Sequence, residues 1–258
     1  MVTLPKDKLE QYLYEIRESL QHSKLTQKDL QSLVGKLSFA ASVVPARPFL
    51  RRMIDKIYSV SKPNHFIKLT SEMKEDLKTW EHFLLNYNGV TYFRMLDMVP
   101  LSHFNMASDA CLQGFGATFG RIWIQEKYPA SWKQLYRDKK VGSTFLELYP
   151  VYVLVSIFGS QFTNLSVLHC TDNEGVVTII NKQSSSSKYI MKIVRPLVLQ
   201  LINFNISLYA KHVPGKSHIL CDTISRFQET PQLLKSHDLN PRPLKIPEKL
   251  IPSNFNLQ

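Results

Sequence analysis

Four carboxylates stand at the edges of apolar segments, and each segment has its own character. Asp109 lies in SDACLQGFGATFG (108–120), Glu147 in STFLELYPVYVLV (143–155), Asp172 in VLHCTDNEGVV (167–177) and Asp222 in HVPGKSHILCDTISR (212–226). An acid among core-forming residues needs a partner or a metal, because an unpaired charge is costly to bury. Phosphodiester hydrolysis asks little more of a protein than placed charge. Two hard cations about 4 Å apart activate a water and stabilise the leaving oxygen, and carboxylates are what hold such ions.

The charge balance agrees with a polyanionic partner. Lys and Arg number 32 against 21 Asp and Glu, a net charge of +11. Nucleic acid is the simplest such partner, and plain solubility is the other reading. The 258 residues, 44% hydrophobic and 21% charged, are ordinary globular composition with room for one large domain or two modest ones. The apolar run VYVLVSIF (151–158) is far short of the roughly 18 residues of a membrane span, so no membrane is expected. The start, MVTLPKDKLEQYL, has no apolar core of a secretory signal. Cys111, Cys170 and Cys221 show no C-x-x-C spacing, which points to a reducing compartment, cytoplasm or nucleus. Each lies within two residues of one of the acids. They read as a Cys/Asp metal cluster or as small buried hydrophobes.

Periodicity divides the chain into a helical module over 1–90, an α/β domain over 91–228 and a proline-rich tail over 229–258. Residues 6–22 read as a helix with Leu9, Tyr12, Leu13, Ile16 and Leu20 on one face. Thr26 reads as the N-cap of a second helix carrying Leu30, Leu33, Val34, Leu37 and Ala41, ending before Pro45. A third helix is expected over 48–58. A fourth follows Thr70, with Met73, Leu77, Trp80 and Leu84 as its stripe and Asn88-Gly89 as its stop. Near residue 90 the character changes, and three short strands follow over 103–110, 114–120 and 121–128. A helix over 144–158, a buried strand over 165–172, helices over 174–182 and 189–204, a strand over 206–213 and a last helix over 218–227 complete the order.

Each acid has two readings when taken alone. Asp109 ends a strand beside a glycine turn, where an Asp is often only turn chemistry. Gly114 and Gly116 would let a substrate backbone approach closely. Glu147 falls early in a helix, where the dipole favours it, and Pro150 is expected to kink or restart that helix. Asp172 ends the strand VLHC, where either it or Asn173 could cap the next helix. Asp222 is a ligand or the partner of Arg226 four residues on. His212 is a proton-transfer group or a loop histidine packed on Pro214. Arg47, Arg51 and Arg52, with Lys36 and Lys56, are a nucleic-acid surface or a solvated face.

As an ordered set, the four segments resemble the ribonuclease H domain of a retroelement reverse transcriptase. H-x-P-G-K-x5-D-x-x-S-R is the most specific stretch, and ELYP is similar to the DIRS-type, tyrosine-recombinase class. LQSLVGKLSFAASVVPARPFLRRMID (30–55) resembles the thumb that precedes ribonuclease H in those polymerases. The likeness covers about residues 1–228. It implies a ribonuclease H-like mixed sheet flanked by helices, after a small helical module. It implies two Mg²⁺ ions, with Mn²⁺ as substitute, on Asp109, Glu147, Asp172 and Asp222, and His212 close by. It implies cleavage of the RNA strand of RNA–DNA hybrids. Lys36, Arg47, Arg51, Arg52, Lys56, Asn173, Lys216 and Arg226 would contact nucleic acid. His218 stands where the family has asparagine, and Cys221 and Thr223 where it usually has alanine. No palm-type aspartate pair lies upstream, so polymerase activity is not expected. The alternative is a co-opted module that binds nucleic acid or docks a protein without cutting.

Overall fold

Leucines spaced three and four apart build the first part of the chain. The computed structural model describes residues 3–44, 46–86, 99–100, 106–214 and 219–257. The chain divides into two units, Met1–Leu96 and Asp97–Gln258. Asn88-Gly89, residues 103–105, Lys216 and His218 lie outside the described residues.

The first unit contains α1 (Lys6–Gln21), β1 (Lys24–Thr26), α2 (Gln27–Ala40), α3 (Arg51–Tyr58), β2 (Phe66–Lys68) and α4 (Ser71–Asn86). Thr26 caps α2 by accepting from the Asp29 backbone N–H. Ile16, Leu30, Leu37, Met53, Leu77 and Trp80 form its core. Two features depart from the periodicity reading. The third helix starts as a 3-10 turn over Arg47–Leu50. In addition, β1 and β2 pair antiparallel, with Leu25 opposite Ile67. Three-residue strands are too short to show a period.

The second unit begins with β3 (Val99–Pro100), β4 (Ala107–Ala110), β5 (Gly114–Phe119), β6 (Ile122–Lys127), α5 (Ala130–Arg137) and α6 (Ser143–Phe158). It continues with β7 (Ser166–Thr171), α7 (Glu174–Lys182), α8 (Lys188–Asn203), β8 (Ser207–His212), α9 (Ile219–Ser225) and α10 (Pro231–Ser236). β4, β5 and β6 form an antiparallel meander, while β3, β7 and β8 are parallel. β4 runs beside β7, which brings the two sets of strands together. The expected mixed α/β architecture with helices on the strands is present, built as two three-stranded sheets side by side.

Every residue of β5 is buried, because helices cover both its faces. Phe115 meets Tyr149 of α6, and Phe119 stacks on Phe158. On the alternate face, Gly116 and Thr118 meet Ile224 and Cys221 of α9. α6 is apolar around nearly its whole girth, as a helix buried on all sides must be. The stretch Ser143–Phe162 has the length and composition to cross a membrane, and 67% of that window is buried inside the unit.

Pro150 does not restart α6, which is continuous from Ser143 to Phe158. The proline has no N–H to give the Leu146 carbonyl one turn back. The Tyr128 hydroxyl donates to that carbonyl instead, at 2.7 Å. Burial holds the Tyr128 phenol protonated, well above its ordinary range, so it remains a donor.

Residues 229–257 pack on the second unit. Leu234 and Leu239 cluster with Trp123 and Ile224. Trp123 Nε1 donates to the Asn240 carbonyl at 2.8 Å, Tyr149 OH donates to the Leu250 carbonyl at 2.9 Å, and Phe255 lies against Tyr149.

The Tyr128 contact has a measurable consequence. Tyr128→Phe keeps the ring and orphans the Leu146 carbonyl, a cost of about 1–3 kcal/mol in urea unfolding. In a Pro150→Ala background the helix supplies its own N–H, and the same substitution should cost much less. Equal costs in both backgrounds would show that the hydroxyl does not serve that carbonyl.

Candidate active site

The approach of α9 to the sheet places the first two acids. Asp109 of β4 is directly opposite Gly116 of β5, so the two share a face. A Cβ on Gly116 would stand 2.6 Å from Ile224 Cγ2 and 2.6 Å from the Ser225 backbone nitrogen. Glycine is therefore required there for α9 to lie on the strand. The expectation that Gly116 admits a substrate backbone is corrected, since a helix of the chain itself occupies that space. With α9 at this depth, Ser225 is fully buried and its Oγ lies 3.0 Å from Asp109 Oδ2 and 2.8 Å from the Asp222 carbonyl. Asp222, on the same helix, takes Arg226 Nε at 2.8 Å in a half-exposed ion pair.

A second lock places Glu147. Asn173 caps α7, its Oδ1 accepting from the Val176 N–H at 3.1 Å. Its Nδ2 donates to Glu147 Oε1 at 2.9 Å and to Ser143 Oγ at 3.2 Å, and Thr144 Oγ1 donates to its Oδ1 at 3.2 Å. Gly175 makes room, because a Cβ there would be 2.5 Å from Thr144 Oγ1. The Asn173 amide is thus engaged within the fold. Since Asn173 is the cap, Asp172 is not, and its carboxylate is exposed at the end of β7. His212 ends β8 opposite Thr171, the residue before Asp172, and is also exposed.

The four acids share one electrostatic field. Glu147 is pushed up to about 7, first by burial, against the Asn173 hydrogen bond, and then by the charges of Asp172 and Asp109. Burial also raises Asp109, against the Ser225 hydrogen bond, with Asp222 and Asp172 raising it further. Among the described residues, no three of His, Cys, Asp and Glu converge closely enough to hold a metal ion. The donor chemistry suits a hard divalent cation. Three of the acids are instead engaged by Ser225, Asn173 and Arg226.

The cysteines do not form a cluster with these acids. Cys221 is buried and its thiol is pushed up to about 12 by that burial, the behaviour of a small hydrophobe. Cys111 and Cys170 are only partly buried, so the reading of all three as buried positions is corrected. Cys111 Sγ lies 3.2 Å from the Ser225 carbonyl.

In the first unit, most of the basic residues singled out from the sequence are occupied. Lys36 pairs with Glu15 and Arg51 with Asp55. Arg52 lies 2.9 Å from Asp76, whose side chain is 4% exposed. That pair is part of the fold, so removing Arg52 takes a charged partner from a buried carboxylate. Arg47 and Lys56 are exposed.

In the sequence, Ser225 stands out only as the serine of the D-x-x-S-R stretch, and Thr144 and Tyr128 do not stand out at all. The signal for Ser225 was its position three residues after Asp222, which puts both on one side of a helix.

No family model and no curated protein matches the chain. Among solved structures, the foamy viral protease-reverse transcriptase dRH in complex with ds DNA aligns at a TM-score of 0.31 and 16% identity, over 82% of this chain and 36% of that chain. The chain therefore spans well under two thirds of that protein, and a superposition this loose carries no functional argument.

The raised Glu147 fixes a pH dependence. The folded state keeps a proton up to about 7 that the unfolded chain releases near 4.5. Between those values the folded state binds more protons, so stability falls as pH rises and levels off above about 7. In thermal melts without divalent ions, Glu147→Gln should lose that decline, its advantage over the parent growing through this window. Parallel curves for parent and variant would contradict the assignment.

Proposed function

We propose that the second unit is a metal-dependent ribonuclease of the ribonuclease H type, cutting the RNA strand of RNA–DNA hybrids. On this reading the chain corresponds to the thumb and ribonuclease H part of a DIRS-type retroelement reverse transcriptase. The observation that carries it is the common field of Asp109, Glu147, Asp172 and Asp222. They come from a strand, a helix, a strand end and a second helix, and burial, with the charges of the other acids behind it, raises Glu147 and Asp109.

These four residues would hold two Mg²⁺ ions, or Mn²⁺ in their place. When bound, the ions supply an activated water and charge stabilisation of the departing 3′ oxygen. The remaining work falls to the chain. Asn173 aims Glu147 and Ser225 aims Asp109, which would keep both carboxylates in place as ligands. Arg226 holds the Asp222 side chain on the exposed side of α9. His212, at the strand end opposite Thr171, would move a proton near Asp172. RNA would be distinguished from DNA by its 2′-hydroxyls in a wide minor groove.

A second reading has an observation of its own. Three of the four acids already have partners in Ser225, Asn173 and Arg226, and the set does not converge. A module that binds hybrid without cutting it would look like this.

Cleavage of a labelled RNA–DNA hybrid, with and without Mg²⁺, separates the two. The parent should cut only with the metal. Asp172→Asn should lower the rate by about a hundredfold or more, with unfolding unchanged. Cutting by Asp172→Asn at the parental rate would refute the metal-site assignment, and no cutting by the parent would favour the binding module.

A further inference from the structure

Two stretches of the first unit contain no carboxylate. Residues 22–28 read HSKLTQK and residues 60–70 read VSKPNHFIKLT. They are over thirty residues apart, and the backbone joins them. Lys24 pairs with Lys68 and Thr26 with Phe66 in the β1–β2 ribbon. The N–H groups of Gln27, Lys28 and Leu69 bond to the carbonyls of His65, Pro63 and Ser23 at 2.8, 3.0 and 2.9 Å. The result is one exposed surface carrying His22, Lys24, Lys28, Lys62, His65 and Lys68. The described ion pairs of this unit use Arg17, Lys36, Arg51 and Arg52, and none of these six. The acid next in sequence, Asp29, is held by Thr26 Oγ1 at 2.6 Å.

This surface runs against the interests of the ribbon. Lys24 and Lys68 are directly opposite each other, where like charges destabilise a strand pair. Phe66 is on the same outer face and 60% exposed, with Lys24 Nζ 4.4 Å from its ring centroid. The inner face is conventional, with Ile67 buried. The Phe66 ring takes up part of the Lys24 charge, but no described ion pair of this unit gives either lysine a carboxylate. A like-charge pair kept on an exposed face points to a counter-charge from outside.

We propose that the outer face of the β1–β2 ribbon, with Lys24, Lys28, Lys62 and Lys68, is a contact for the phosphodiester backbone of nucleic acid. Closely set lysines that lack carboxylate partners suit a dense row of phosphates, which they neutralise with release of counterions. Such contacts carry no sequence preference. This surface replaces the arginines of α3 as the main basic contact of the first unit, because Arg51 and Arg52 are committed to Asp55 and Asp76. The proposal shares with the proposed function only the class of ligand.

The test uses the full chain, a fluorescent RNA–DNA hybrid and EDTA, so that cleavage plays no part. Anisotropy at several salt concentrations compares the parent, Lys24→Gln/Lys68→Gln, and the fourfold variant that adds Lys28→Gln and Lys62→Gln. Binding is read with the metal removed, which keeps failure of the nuclease reading separate. The double variant should bind every sequence more weakly, and its slope of log affinity against log salt should be shallower by about 2. The fourfold variant should lose about 3 to 4 in slope. The double variant should melt no lower than the parent, since a repulsive pair has been removed. Unchanged affinity and slope in the fourfold variant would overturn the proposal. So would intact hybrid binding together with lost binding to phosphatidylserine vesicles, which would assign the face to a lipid surface.

Discussion

A hydrogen atom where other residues carry a methyl group sets the depth at which α9 meets the sheet. At Gly116 the helix backbone itself, through the Ser225 nitrogen, comes within 2.6 Å of where a Cβ would be. Only flexible side-chain ends could give way cheaply to such an atom, and a helix backbone cannot. The burial of Cys221, Ile224 and Ser225 and the tether from Ser225 to Asp109 follow from that contact. The position of Asp222 relative to Asp109 follows as well. Substituting Gly116 moves a helix, and with it one of the four acids and the anchor of another.

The other half of the site is held by polar groups that do two things at once. Asn173 ends one helix and aims the acid of another. Tyr128 packs among Phe115 and Trp132 and also replaces the hydrogen bond that Pro150 removes from the helix bearing Glu147. Buried polar networks rigidify a core when every member is satisfied. Here that rigidity falls on the turns around Glu147. The cost is an acid kept partly out of water among like charges, which is why its proton affinity rises.

How much of this could be read from the sequence depends on the range of the interaction. The helices α1, α2 and α4 follow from apolar spacing, the N-cap at Thr26 from local chemistry, and the span of α7 from the turn at Asn173. α5, with only Trp132 buried, has too little apolar surface to show a stripe, and the reading passes over it. The short strands β1 and β2 and the packing of residues 229–257 depend on partners distant in the chain. The four acids stand out because their flanking segments are distinctive. Their tethers do not, since Ser225 touches Asp109 only after α9 docks. The reading of Gly116 and the expected restart at Pro150 fail for the same reason, because each position is met by an element more than twenty residues away in sequence.

The account rests on four carboxylates whose mutual repulsion the fold tolerates and a divalent cation would relieve. The most direct measurement is the melting temperature as Mn²⁺ is added at constant ionic strength, for the parent and for Asp109→Asn. Binding to the folded state alone raises stability by about 2.7 kcal/mol at a hundredfold excess over the dissociation constant. The parent should therefore melt several degrees higher in Mn²⁺, while sodium chloride of equal ionic strength leaves it nearly unchanged and Asp109→Asn loses most of the rise. A parent that ignores Mn²⁺, or that responds no more to it than to sodium chloride, would contradict a shared cation site.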